Sequence, residues 1–220
     1  MAETILVTGA TGNVGSEVVK QLSRNRLEVN IVAAVHSVKN AKRIEDDGIE
    51  VVSIDYNKPE SLSAAFKDAD KLFLLTPFQS DMVQQSSNLL TVVKNVGTIR
   101  HIVKLSVMGA EREPGGRLHR QAEKMIENSG ITYTFLRPNA FMQNFVNFYS
   151  HPIKEQGALY LPAGDGKVSF VDVRDIASVA VQALLNNNDG RHNGKTYDIT
   201  GPEAISYDDA TRILSEQVGK

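Results

Sequence analysis

Thr8-Gly9-Ala10-Thr11-Gly12-Asn13-Val14-Gly15 follows the apolar run Thr4-Ile5-Leu6-Val7 and opens a stretch, Asn13 to Ser23, with apolar residues at helical spacing. A strand that turns through glycines straight into a helix brings backbone amides and the positive end of the helix dipole to one point. Such a point suits a pyrophosphate. Gly9 permits the tight turn, Gly12 lets the backbone approach the phosphates, and Gly15 lets the helix pack closely. Thr11, Asn13 and Val14 complete the predicted phosphate-binding set. A glycine pattern alone is weak, so the flanking strand and helix carry the argument.

Working outward, short apolar runs of strand length alternate with helical segments. Predicted strands are Thr4 to Thr8, Val29 to Val35, Glu50 to Ile54, Lys71 to Leu75, Ile102 to Leu105 and Thr132 to Leu136. Between them, helices are predicted at Asn13 to Ser23, Lys39 to Asp46, Pro59 to Lys67, Asp81 to Asn95 and Leu118 to Asn128. Hydrophobicity in these strands is continuous rather than alternating, which calls for helices on both faces of a parallel sheet. The fold class is therefore α/β, a doubly wound parallel sheet of the Rossmann type. After Asn139 the rhythm changes: Phe141, Phe145, Phe148 and Tyr149 cluster, and Pro and Gly punctuate 152–166. A helix returns at Val173 to Leu185, a strand at Thr196 to Ile199 and a helix at Ser206 to Val218. Residues 1–139 are read as the NAD(P)-binding domain and 140–220 as a small C-terminal substrate-side subdomain interleaved with the end of the sheet.

Among 220 residues with a net charge of −2 there is no electrostatic case for nucleic acid or an anionic membrane. With no cysteine, disulfides, thiolate metal sites and a Cys nucleophile are excluded. The five histidines show no spacing suited to a metal, and none is proposed. The N-terminus leaves no room for an export signal, and no apolar run approaches the roughly 18 to 20 residues that cross a bilayer. A cytoplasmic protein is expected.

The glycine loop resembles the fingerprint of the short-chain dehydrogenase/reductase superfamily. Leu136-Arg137-Pro138-Asn139 and Phe170-Val171-Asp172-Val173-Arg174-Asp175-Ile176-Ala177 also look like that superfamily, and with Tyr197-Asp198-Ile199-Thr200-Gly201-Pro202 they resemble its atypical NmrA-like branch. Members commonly continue beyond the position of Lys220, so the sequence is expected to be a shortened member or to lack part of the substrate side. The resemblance implies an adenine pocket at Asp55 and Tyr56, after the third strand, and puts Pro138 among the cofactor contacts.

NAD-preferring proteins place an acid at the end of the second strand, roughly 20 residues beyond the glycines. Here that strand ends Ala34-Val35-His36-Ser37, without an acid. His36 and Lys39 are the candidate partners of a 2′-phosphate, so NADP is expected, with NAD as the alternative. Thr76 and Pro77 follow the fourth strand, where the nicotinamide side is reached.

Most members of the superfamily use a Tyr, a Lys four residues on, and a Ser. Alignment on Ser106 places Gly115 at the Tyr and His119 at the Lys, so the proton-transfer Tyr is expected to be absent. Alcohol oxidation and sugar epimerisation, which need a positioned acid or base, are thereby disfavoured. Quinone-like and dye-like acceptors need chiefly hydride positioning. His119 and Ser106 are the catalytic candidates. Phe78, Asn139, Phe141, Met142 and Asn144 are the candidate lining for a small-molecule acceptor. The expectation is an NAD(P)H-dependent reductase, against the alternative of a regulator that senses nucleotide without turnover. Helices such as Asp81 to Asn95 leave a homodimer open.

Overall fold

The computed structural model describes residues 2–25, 27–44, 49–112, 114–187 and 189–218. The first half runs β1 (Glu3–Thr8), α1 (Asn13–Leu22), β2 (Val29–Val35), β3 (Ile49–Ser53), α2 (Pro59–Phe66), β4 (Lys71–Leu74), α3 (Met82–Val96), β5 (His101–Leu105), α4 (Arg117–Glu127) and β6 (Thr132–Pro138). It is followed by α5 (Asn144–Asn147), α6 (Ser150–Gln156), β7 (Lys167–Val168), α7 (Val173–Leu185), β8 (Lys195–Ile199), β9 (Ile205–Ser206) and α8 (Tyr207–Val218).

Successive strand residues point to opposite faces, and here both faces are covered. Leu6, Leu72, Leu74 and Ile102 meet Leu62, Phe66 and Leu89 of α2 and α3. Ile5, Val7, Phe73 and Val103 meet Val14 and Val18 of α1 and Ile176 and Ala180 of α7 on the opposite face. Each such side chain contributes about 1.5–3 kcal/mol on burial. The result is the expected parallel sheet, in the order β3-β2-β1-β4-β5-β6-β8. Its strand order reverses between β1 and β4, and ligands of open α/β sheets bind at such a reversal, outside the carboxyl ends of the strands.

Past Asn139 the chain leaves this body and returns to it. α7 packs on α1 and β8 pairs with β6, so the excursion consists of 140–172 and the end from 200. Two-residue strands β7 and β9 pair antiparallel across it.

Three expectations change. Residues 38–44 form a 3-10 helix rather than the α-helix predicted from Lys39, and 45–48, which would have carried its end, lie outside the described residues. The sixth strand runs on to Pro138, because Arg137 and Pro138 pair with Asp198 and Ile199 of β8. Phe148, which shares helical spacing with Phe141 and Phe145 and on that spacing reads as a core residue, is 71% exposed, because the four-residue helix α5 ends just before it.

Candidate dinucleotide site and reaction face

Gly9 holds φ +64, a left-handed conformation that favours glycine. Its carbonyl accepts from the Gly12 amide at 2.9 Å and closes the turn. A Cβ on Gly15 would lie 2.2 Å from that carbonyl oxygen, so the first turn of α1 is pressed onto the loop rather than merely onto the sheet. Gly12 is the N-cap of α1 and offers no side chain to cap it. The amides of α1's first turn therefore stay available, with the helix dipole behind them. Thr11 and Asn13 border a cavity of about 310 Å³ beside the loop, with Ser16, Lys20 and Ile44. A pyrophosphate fits this cradle chemically, since its oxygens supply the acceptors those amides lack. Val14 is buried and anchors the turn from beneath.

Thr8, which the sequence reading did not single out, seals the strand-order reversal. Its hydroxyl accepts from the Leu75 amide at 2.8 Å and lies 3.1 and 3.0 Å from the Phe73 and Leu75 carbonyls. Tyr56 donates to the Leu75 carbonyl at 2.6 Å, and burial pushes its hydroxyl up to about 12. Tyr56 is thus held by its hydroxyl at the reversal. Asp55 accepts from the Asn57 amide at 2.9 Å and pairs with Lys58 at 3.6 Å, which organises its own turn. His36 and Lys39 stand exposed after β2, on the same carboxyl edge as the cradle.

Further along that edge lies a second cluster. Thr76 is buried and Pro77 half-buried, while Phe78 is 65% exposed and stacks on the His119 ring, with centroids 5.4 Å apart and planes 12° from parallel. His119 sits in the first turn of α4 and is half-buried rather than free in solvent. A Cβ on Gly116 would come 2.6 Å from Ala110 Cα, so the helix start is fixed against the preceding loop. Burial, helped by the Lys104 cation and opposed by Glu123, pushes His119 down to about 4, so its ring is neutral near pH 7. Its Nδ1 is buried without a hydrogen-bond partner among the described residues, as are Thr76 Oγ1, Asp81 Oδ1 and Gln85 Oε1.

Ser106 donates to Glu123 Oε1 at 2.6 Å. Arg137 grips the same carboxylate twice, at 2.9 and 2.7 Å, and Arg120 adds a bond at 3.1 Å. Burial alone would raise Glu123, but the bonds from Arg137 and Ser106 outweigh it and hold the carboxyl below its ordinary range. Arg137 in the Leu136-Arg137-Pro138-Asn139 segment thus locks α4 to β6, and Ser106 spends its proton in that lock. Glu123 was missed because a Glu amid a charged helix looks solvated, whereas only tertiary packing buries it.

Pro138 ends β6 and is buried. Asn139 folds its side-chain oxygen onto the Ala140 amide at 2.8 Å. Phe141 bridges to Val171, and the Met142 amide donates to the Val171 carbonyl at 2.9 Å. The Gln143 side chain accepts from the Val173 amide at 3.1 Å. This zipper holds the segment from Asn139 to Asn144 against the start of α7, with Met142 exposed and Phe141 and Asn144 half-buried. Phe145 turns instead into a cluster with Phe170, Tyr149 and Tyr207.

An uncapped glycine cradle at the strand-order reversal, continued along one edge by an aromatic and imidazole surface, defines a dinucleotide-binding α/β protein. The NmrA-like family model matches residues 1–220, and the chain belongs to that family. It is 37% identical over 219 residues to the NAD(P)H azoreductase of Xenophilus azovorans, covering 98% of this chain and 74% of that one. The crystal structure of Citrobacter sp. triphenylmethane reductase complexed with NADP(H) superimposes with a TM-score of 0.84 at 32% identity, over 97% of this chain and 75% of that one. The NADPH complex of the Escherichia coli quinone oxidoreductase QOR2 gives 0.86 at 29% identity, over 98% and 76%.

Proposed function

We propose that the protein is an NAD(P)H-dependent reductase, using NADP(H) before NAD(H), that passes hydride to a small quinone-like or dye-like acceptor. The observation that carries this reading is the continuity of the uncapped Gly9–Gly15 cradle with the Phe78–His119 stack along one sheet edge. The relatives named above, reductases of azo compounds, triphenylmethane dyes and quinones, support the same class. When bound, the reduced nicotinamide supplies the hydride. The amides of α1 hold the pyrophosphate, and His36 and Lys39 receive the 2′-phosphate. Thr76, Pro77 and Pro138 border the nicotinamide end. Phe78, Phe141 and Met142 offer flat apolar contact to the acceptor, and Asn139 and Asn144 give it polar edges. Gly115 leaves no side chain where a proton-transfer Tyr is expected, so His119 is the candidate donor.

One observation favours a second reading, a sensor that binds nucleotide without turnover: Ser106 is committed to Glu123 and His119 is neutral, so neither catalytic candidate is a charged acid. A titration with NADPH, NADP, NADH and NAD, followed by NADPH oxidation with a panel of quinones and dyes, decides. The reductase reading expects tighter NADPH than NADH, turnover of at least one acceptor, and a changed acceptor preference in Phe78→Ala with nucleotide affinity within about twofold, as expected for a residue outside the cradle. Binding without turnover of any acceptor would establish the sensor. Binding of no nucleotide would sink both.

A further inference from the structure

Glu123, in the middle of α4, is wholly buried, and hydrogen bonds from the end of β5, from β6 and from α4 itself converge on its carboxylate. Oε1 accepts from the Ser106 hydroxyl at 2.6 Å and from Arg137 Nε at 2.9 Å. Oε2 accepts from Arg137 Nη2 at 2.7 Å and from Arg120 Nη1 at 3.1 Å. A carboxylate has about four acceptor sites, so all are taken, and a proton on either oxygen would point into a donor. Glu123 is therefore ionised. An ionised carboxylate has no hydrogen to give, so the 2.6 Å contact has one direction: Ser106 donates, at the length of a charge-assisted O–H···O⁻ bond.

A serine hydroxyl has a single proton. With that proton held under α4, Ser106 keeps only lone pairs for any further partner at the carboxyl end of β5, and these accept from no group among the described residues. Its backbone is fixed as well, the Ser106 amide donating to the Leu136 carbonyl at 2.7 Å. The neighbouring guanidiniums are spent in the same way: Arg137 also donates to Glu111 at 3.2 Å, and Arg120 to Glu127 at 2.7 Å. One buried carboxylate thus draws in the donors at the ends of β5 and β6 that would otherwise suit a developing oxyanion.

We propose that Glu123 is a positioning residue that sets acceptor choice: by keeping the Ser106 proton it withholds a hydrogen-bond donor from the acceptor, and so favours conjugated cations over acceptors whose charge develops on oxygen. The inference rests on the reductase reading above. For either acceptor, the two electrons that leave the reduced nicotinamide arrive as hydride and make one new bond to hydrogen. In a quinone an electron pair is displaced onto oxygen, which carries negative charge until a proton reaches it. A donor at that oxygen lowers the barrier. In a conjugated cation such as a triarylmethane dye, the pair displaced by the new C–H bond returns to nitrogen, the positive charge is cancelled, and no proton is required. Lone pairs at Ser106 suit the second acceptor and give the first nothing.

The test is the ratio of kcat/KM for a quinone to that for a cationic triarylmethane dye, both with NADPH, because a variant that merely folds poorly lowers both together. Glu123→Gln keeps the shape of the side chain, but a neutral amide holds a hydroxyl less tightly than a carboxylate does. The quinone-to-dye ratio should then rise at least about tenfold, a fraction of the roughly hundredfold or more that one oxyanion donor carries. Adding Ser106→Ala should abolish that rise. In Ser106→Ala alone the ratio should not fall, since the proton removed was never offered to the acceptor. An unchanged ratio in Glu123→Gln, a rise that survives in the double variant, or a fall in Ser106→Ala alone would each overturn the proposal while leaving the reductase reading intact. Failure of the wild-type protein to reduce either acceptor would instead strike that reading itself. Should Glu123→Gln not fold, Ser106→Ala decides alone.

Discussion

A methyl group at Gly15 would sit 2.2 Å from the Gly9 carbonyl oxygen, and one at Gly116 would sit 2.6 Å from Ala110 Cα. At both places a helix begins where backbone presses on backbone, and both helices carry candidate site residues on their first turn. At the same scale His36 tests the nucleotide choice. If it receives the 2′-phosphate, His36→Asp should weaken NADPH about tenfold or more relative to NADH, the scale of one charge-assisted contact turned repulsive. Parallel titrations read the ratio, and equal losses for both nucleotides would place the adenosine end elsewhere. The glycine cradle was legible in sequence because glycine spacing, strand and helix signals coincide there. Thr8 was not, since a threonine at a strand end announces nothing until Leu75 is brought beside it by the fold.

Among the elements, α7 shows how a sequence segment serves a distant site. Asp172 caps it, accepting from the Arg174 amide at 2.8 Å and from the Arg174 guanidinium at 3.0 and 2.6 Å, and these bonds hold its carboxyl down to about 2. The cap joins two structures, because Val171 just before it is zipped to Ala140 and Met142 while α7 itself packs on α1. Asp172→Ala should cost about 1 kcal/mol, the usual value of a lost N-cap, seen as a lower urea midpoint at unchanged slope. It should also loosen 140–144, which hydrogen exchange would detect as faster Met142 and Val171 amides. No change in either would mean the zipper holds without the cap. The long periodic helices and buried strands were readable from apolar spacing. Residues 140–172 were not: α5, α6 and β7 are too short for a period to form, and partners far away in sequence decide their conformation.

Considered as a whole, the molecule keeps its polar weak points at opposite edges of the sheet. At the amino edge His101 is buried between the hydroxyls of Thr132 and Thr134, 2.9 and 3.1 Å away. Burial, with help from Lys71 and His192, pushes it down from 6.5 to about 4. The folded protein therefore binds its proton less readily than the unfolded chain, so stability rises with pH between these values. His101 contributes its full share above about pH 6.5, and that share is lost as pH falls toward about 4. Denaturant melts across this window should steepen their pH dependence by up to a few kcal/mol at the acid end, at 1.36 kcal/mol per unit. His101→Gln should flatten it. A slope that survives the substitution would assign the acid sensitivity to other groups.

The seam between β1 and β4 has a consequence for how the chain acquires its form. Thr8 meets Phe73 and Leu75 across 65 and 67 positions of sequence. Closing a loop of that length costs roughly (3/2)RT ln n, about 4 kcal/mol, before any contact repays it, and such non-local parallel pairing is slow. The Gly9–Gly15 cradle hangs from the end of β1, so it gains its shape only when that distant closure is complete. During refolding the chain is blind to nucleotide until late, and a nucleotide acts on the finished seam as a latch rather than as a guide.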